Sequence, residues 1–164
     1  MPTKTILALV ALCLMVGCDQ QVKNYRLESS VMEPTFVRGS DLRVDENAFR
    51  RSRPQRWDVV MFRIPNDDTT LSAMRIVGLP GERVFIENEI VAIDGVALKP
   101  PAPLSLRYVP LKFMGARFAT EEPFLVPPGC YFVLGDNTSN AKDSRFWGAV
   151  SADLIVGKVL TPTK

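Results

Sequence analysis

Short β-rich runs broken by turn residues dominate this chain and leave little room for any fold but an all-β one. Ten glycines and thirteen prolines are spread through 164 residues. They punctuate the runs every ~8–15 residues, the spacing of a domain built from short strands. Strands are expected near 25–30, 42–45, 58–64, 72–78, 83–87, 90–93, 96–98, 131–134 and 155–160. Asn88-Glu89 and Asp94-Gly95 read as tight hairpin turns. An Asp-Gly pair suits a type I′ turn, whose two central residues need positive φ. No segment sustains a 3.6-residue apolar period, so no long helix is expected. The fold class is therefore all-β and mainly antiparallel. Residues 99–128 hold seven of the 13 prolines and read as a long connection or small insert.

Composition excludes several functions. A hydrophobic fraction of 46% with 23% charged residues belongs to a folded globular chain. The net charge of +2 falls to +1 without Lys4, which leaves no basic surface for nucleic acid. Arg50-Arg51-Ser52-Arg53 with Arg56 is the densest basic run and reads as a solvated loop. The chain has no histidine. That removes Ser-His-Asp and Cys-His hydrolysis and any zinc site built on histidine. No metal or cofactor is expected. A Ser–Lys pair or a pair of carboxylates is the hydrolytic chemistry left.

Residues 5–17 form an apolar run of 13 behind a single Lys4. A bilayer core of ~30 Å needs about 20 residues, so this run is too short to span one. It has the length of a secretory h-region. It ends Leu14-Met15-Val16-Gly17-Cys18, which resembles a bacterial lipobox with Cys18 as the lipid-bearing first residue. On that reading 1–17 is a signal peptide and 18–164 the exported domain. The alternatives are a short uncleaved anchor or a buried helix. Asp19 resembles a retention signal for the inner membrane, which places the domain on its periplasmic face. Cys13 would leave with the signal peptide and Cys18 would carry lipid. Cys130 would then have no partner for an intramolecular disulfide. Its place at the head of an apolar run marks it as an inert core thiol.

Three stretches carry the remaining information: Val31-Met32-Glu33-Pro34-Thr35, Met74-Arg75-Ile76-Val77-Gly78-Leu79-Pro80-Gly81-Glu82, and Gly135-Asp136-Asn137 followed by Asp143-Ser144-Arg145-Phe146-Trp147-Gly148. In this order and spacing they resemble the signature boxes of the type I signal peptidases, across roughly residues 25–160. The resemblance implies a signal-peptidase-like β-barrel or sheet core with a short insert, and a membrane-surface protease working by a Ser–Lys dyad. Such a dyad needs a hydroxyl nucleophile, a neutral amine to take its proton, and donors for the developing oxyanion. The family has its serine where this chain has Val31, and its lysine where this chain has Met74. It has a further serine, which holds the lysine, where this chain has Ala141. Nucleophile, base and base-orienting hydroxyl are thus all apolar here.

The frame of the boxes remains. Ser29 matches the family's oxyanion side chain. Arg75 is expected to pair with Asp136, and Asp143 with Arg145, with Asn137 and Ser144 in the same structural box. The family takes its substrate as a strand, here between Leu27, Glu28, Ser29 and Ser30 on one side and Leu71, Ser72 and Ala73 on the other. Trp57, Glu82 and Thr138 replace the family's usual Gly, Asp and Arg.

Three functions follow as expectations. The first is a non-catalytic, membrane-anchored lipoprotein that binds an extended exported peptide or protein, since main-chain pairing to a strand edge needs no dyad. The second is a serine endopeptidase with a shifted nucleophile, Ser30. Alternation along a strand would point Ser30 away from the side facing Val31. The third is a structural subunit of an envelope complex, its groove closed by Val31 packing on Met74.

Overall fold

A computed structural model describes residues 21–67 and 69–160. The apolar run, Cys18 and Asp19 lie outside the described residues. Among the described residues eleven strands form two sheets. The larger has seven strands in the order β1-β2-β11-β3-β4-β9-β10. These are β1 (Val22–Arg26), β2 (Asp41–Asp45), β3 (Val59–Arg63), β4 (Leu71–Gly78), β9 (Cys130–Leu134), β10 (Val150–Ser151) and β11 (Ile155–Val159). The smaller runs β7-β6-β5-β8, from β5 (Arg83–Glu87), β6 (Ile90–Ile93), β7 (Val96–Ala97) and β8 (Phe124–Leu125). Every pairing is antiparallel. The all-β, mainly antiparallel reading is correct.

Side-chain alternation explains why the two sheets hold together. Along β9, Tyr131 and Val133 enter one core cluster, while Phe132 and Leu134 enter the other. β4 divides in the same way: Met74 and Ile76 join the first cluster and Val77 the second. Successive side chains of a strand point to opposite faces, so these two strands are shared by both cores. β3 is flanked by β11 and β4. Its Val59, Val60, Met61 and Phe62 are all buried, which is the continuous apolar run of a strand covered on both faces. Each such side chain contributes about 1.5–3 kcal/mol on burial.

Both hairpin turns are as expected. Asn88 and Glu89 have φ of 50° and 65°, and Asp94 and Gly95 have 50° and 82°. These are the positive values that a type I′ turn requires.

The differences from expectation have local causes. β1 begins and ends earlier than 25–30. Its ladder with β2 runs from Val22 opposite Asp45 to Arg26 opposite Asp41. Leu27 adds one last rung, donating to the Ser40 carbonyl and accepting from Gly39. Beyond it the chain turns away. The two-residue strands β8 and β10 and the one-turn helix α1 (Ser144–Trp147) are too short for any period to announce them. The segment 99–128 is more than a connection. Leu125 and Phe124 pair with Arg83 and Val84, and Tyr108, Ala119 and Val126 are buried in the second core. Arg56 is not a solvated residue. Its guanidinium grips Glu82 with both nitrogens and also reaches the Val77 carbonyl.

Gly78 marks a close approach. β4 changes register against β9 between Ile76 and Gly78. A Cβ there would stand 2.5 Å from Val84 Cγ2 and 2.8 Å from Phe132 Cβ. Those neighbours belong to both sheets, so neither yields without disturbing the other. Gly78→Ala is expected to lower the urea midpoint by the equivalent of about 1–3 kcal/mol, the cost of overpacking a filled core. An unchanged midpoint would show that the junction is loosely packed.

Candidate functional site

The site is assembled where β4 outruns its neighbour. Ile64 donates to the Thr70 carbonyl and Ile76 to the Asp58 carbonyl. The even-numbered residues of β4 therefore bond towards β3. The odd-numbered ones face the other way, where β9 begins only opposite Arg75. Leu71 and Ala73 have no strand partner on that side. Leu71 is 39% exposed, whereas Ala73 is fully covered.

Across from this edge lies the chain leaving β1. Ser30 and Val31 are held by one residue of the loop after β9. The Asn137 side-chain amide donates to the Ser30 carbonyl at 3.0 Å. Its backbone N–H donates to the Val31 carbonyl at 3.0 Å. Gly135 lets this loop come close, because a Cβ there would lie 2.5 Å from both the Val31 carbonyl oxygen and the Ala141 Cβ.

Two buried ion pairs fix the loop. Arg75 Nε donates to Asp136 Oδ1 at 2.8 Å, its Nη2 donates to Oδ2, and its Nη1 donates to the Trp57 carbonyl at 3.0 Å. The Thr35 hydroxyl donates to the same carboxylate, which ties the Val31 turn to β4. Arg145 Nε and Nη2 meet the two oxygens of Asp143, each at 2.8 Å. The rest of that guanidinium donates to the carbonyls of Val109, Thr138 and Ala141. Asp143 also accepts from the backbone of Gly135 and Arg145, and the Val133 N–H donates to Ser144 Oγ at 2.9 Å. Complete burial pushes the Asp143 carboxyl above the usual carboxylate range, against the pull of the Arg145 guanidinium and these N–H donors. Tyr108 packs its ring on Arg145, 6.0 Å from the guanidinium carbon. Burial pushes its phenol far above the ordinary value, helped by the negative charge of Asp136. Its hydroxyl is buried with no partner among the described residues.

Between the β4 edge and the chain leaving β1 runs a groove of about 580 Å³. Glu28, Ser29 and Val31 form one wall and Leu71, Ser72 and Met74 the other. Ile64, Phe146, Trp147 and Lys142 complete it. Val31 and Met74 therefore share one cleft without sealing it. Ser30 is not among its lining residues. Leu27 does not belong to it either. Its side chain is 2% exposed and its backbone groups are spent on Ser40 and Gly39, so it offers nothing to a peptide. The strand alternation expected for Ser30 does not apply, because 29–30 is a bend beyond the end of β1. Ser30 is instead turned by the Asn137 clamp on its carbonyl. Lys142 is exposed and makes no hydrogen bond or ion pair among the described residues. Neither the Ser29 nor the Ser30 hydroxyl meets a lysine. Cys130 is half-buried against the second core.

Known proteins are similar to this chain in sequence. A family model described as signal peptidase, peptidase S26, matches residues 3–163. The chain belongs to the signal peptidase family. It is similar to "Signal peptidase I" of Bacillus caldolyticus, 34% identical over 158 residues, covering 92% of this chain and 84% of that one. It is also similar to "Signal peptidase I V" of Bacillus subtilis, 31% identical over 148 residues, covering 85% and 87%. The crystal structure of a signal peptidase I from Enterococcus faecalis is 31% identical, with a TM-score of 0.49 over 67% of this chain and 98% of that one.

The signal peptidase boxes named the two ion pairs but not all that surrounds them. Thr35, the Trp57 carbonyl and the Val109 carbonyl complete the frame, and Tyr108 covers it from the insert. No sequence signal marks a backbone carbonyl. Thr35 sat inside a recognised box and was the one partner within reach of reading.

Two outcomes follow. Arg75→Ala leaves the Asp136 carboxylate buried without its cation, and a loss of about 3–5 kcal/mol is expected in denaturant unfolding. Tyr108 gives a pH dependence. In the unfolded chain its phenol ionises near ~10, while in the folded protein it stays protonated. The folded state binds the extra proton above that pH, so stability falls as pH rises further. Tyr108→Phe is expected to flatten this alkaline limb without loss at pH 7. An unchanged limb would mean that the phenol is not held protonated by the fold.

Proposed function

We propose that this member of the signal peptidase family holds an extended segment of an exported polypeptide without cutting it, anchored to the membrane through lipid on Cys18. The observation that carries this reading is the open groove beside Val31 and Met74. Main-chain and apolar contacts along such a groove need no nucleophile. Hydrolysis needs a hydroxyl and a neutral amine within reach of each other. Val31 supplies no hydroxyl and Met74 no amine. Ser30, the alternative nucleophile, has no lysine at hand.

Met74 suits a binding role for a physical reason. Its side chain is 1% exposed. A lysine there would need a neighbouring hydroxyl or a lowered pKa to be tolerated. A methionine of similar length fills the place at no such cost. The reading as a structural subunit calls for a sealed groove, and the volume beside Val31 and Met74 weighs against it. The relatives named signal peptidase I are the reference for what a complete dyad does in this family.

Cleavage of a preprotein carrying a small-x-small processing site tests the reading. Wild-type chain is expected to give no product. Val31→Ser/Met74→Lys is expected to cut, since burial of the new lysine favours its neutral form. Product from the wild type would overturn the non-catalytic reading. Silence from both, with no binding of the uncut preprotein, would favour the structural subunit.

A further inference from the structure

The groove does not end at Lys142. A second depression of about 400 Å³ lies beyond it, bounded by Leu111, Met114, Asn140 and Ala141. Lys142 and Phe146 belong to the walls of both depressions, so the two adjoin, with these side chains as the saddle between them. Beside the second depression a short 3₁₀ turn, Lys112–Met114, lifts two apolar side chains into solvent. Phe113 is fully exposed and Met114 is 62% exposed. The residues that bracket the turn, Leu111 and Gly115, are both left-handed, with φ of 52° and 88°. For Leu111 that conformation costs about 1–2 kcal/mol. The backbone is thus bent against its preference at a point where two large apolar side chains gain no contact.

We propose, building on the peptide-holding reading above, that the occupant is one continuous chain held on both sides of the saddle. One apolar side chain fills the first depression. A second, further along, packs on Leu111, Phe113 and Met114. An acidic residue between them pairs with Lys142. A protease must let go of whatever lies beyond its cut. A groove that does not cut keeps both halves of the ligand on one chain, so the second contact forms at a high effective concentration. Met114 adapts to varied partners because its side chain is unbranched and polarizable. The charges agree with this direction. Glu28 and Asp67 line the first depression alone, while Lys142 lines both. Lys142 has no carboxylate of its own among the described residues.

The test uses the full chain in detergent and two labelled peptides in fluorescence anisotropy. Both carry the same apolar segment. The short peptide stops at the residue opposite Val31, and the long one continues with a glutamate and further apolar residues. The long peptide is expected to bind about tenfold tighter, the effect of burying one more apolar side chain. Phe113→Ser/Met114→Ser should bring it back to the short peptide's affinity while leaving the short peptide unchanged, and Lys142→Glu should weaken the long peptide more than the short one. Equal affinities for the two peptides, or variants that alter neither, would overturn the proposal and leave the first groove's role standing. If neither peptide binds, the peptide-holding reading itself fails and takes this one with it. Anionic vesicles serve as the control surface. If the double variant loses vesicle binding but keeps its preference for the long peptide, the turn serves the bilayer and the proposal falls.

Discussion

The Arg145 guanidinium is the interaction on which the rest of the site depends. It is completely buried, and its donors are divided among four places in the chain: the Asp143 carboxylate and the carbonyls of Val109, Thr138 and Ala141. A buried arginine is tolerated when its charge is paired and its donors are met. Here that condition can be satisfied only if the insert, the loop after β9 and α1 all come together. The loop so fixed carries Gly135 and Asn137, and Asn137 sets the backbone of Ser30 and Val31. The position of Val31 is therefore set by an ion pair that never touches it.

Arg75 and Asp136 work from the opposite side. They join β4 to the same loop, and Thr35 links both to the Val31 turn. Two closed networks thus hold the two walls of the groove at a fixed separation. Met74 and Ala141 sit within that frame as filler, and the frame does not require them to be polar. This separation of parts is why a groove can stand here with neither a hydroxyl at Val31 nor an amine at Met74. Removing an ion-pair partner leaves a buried charge, at about 3–5 kcal/mol. Replacing a lysine by methionine removes a charge that was itself expensive to bury.

Much of this was legible in the sequence, and the limits have physical causes. β5 and β6 have the bounds read from alternation and flanking turns, and β4 and β11 are within one residue at each end. The hairpin at Asp94-Gly95 follows from the φ those residues accept. The partners of Arg75 and Arg145 came from the family boxes. What stayed hidden depends on contacts distant in sequence. Leu27 looked like groove and is core, because its rung with Ser40 is set by a turn twelve residues on. Arg56 looked like a solvated loop until folding placed Glu82 beside it. Tyr108 gave no sign of reaching Arg145 from within a proline-rich segment. Trp57 stands where the family has glycine, and its φ of 75° shows the reason for the glycine. The departure was visible, but the strain it creates was not.

The retained ion pairs bear on stability and not on chemistry, and this governs how such a chain is to be read. Both pairs are anchored by groups that would be buried and unpaired without them, so the fold needs them whatever the groove does. Glycines 78 and 135 are held in the same way, by atoms within 3 Å of any added Cβ. Val31, Met74 and Ala141 carry no charge, so a change there strands no buried ion, although Met74 is packed in the first core. The groove is different again. Leu71 lines the groove and Met114 the depression beside it, both exposed, and no packing contact in the folded domain accounts for large apolar side chains there. Apolar surface left open along a cleft with a free strand edge gains free energy only when something covers it. The part of the molecule that stability does not explain is the part on which the proposed peptide binding rests.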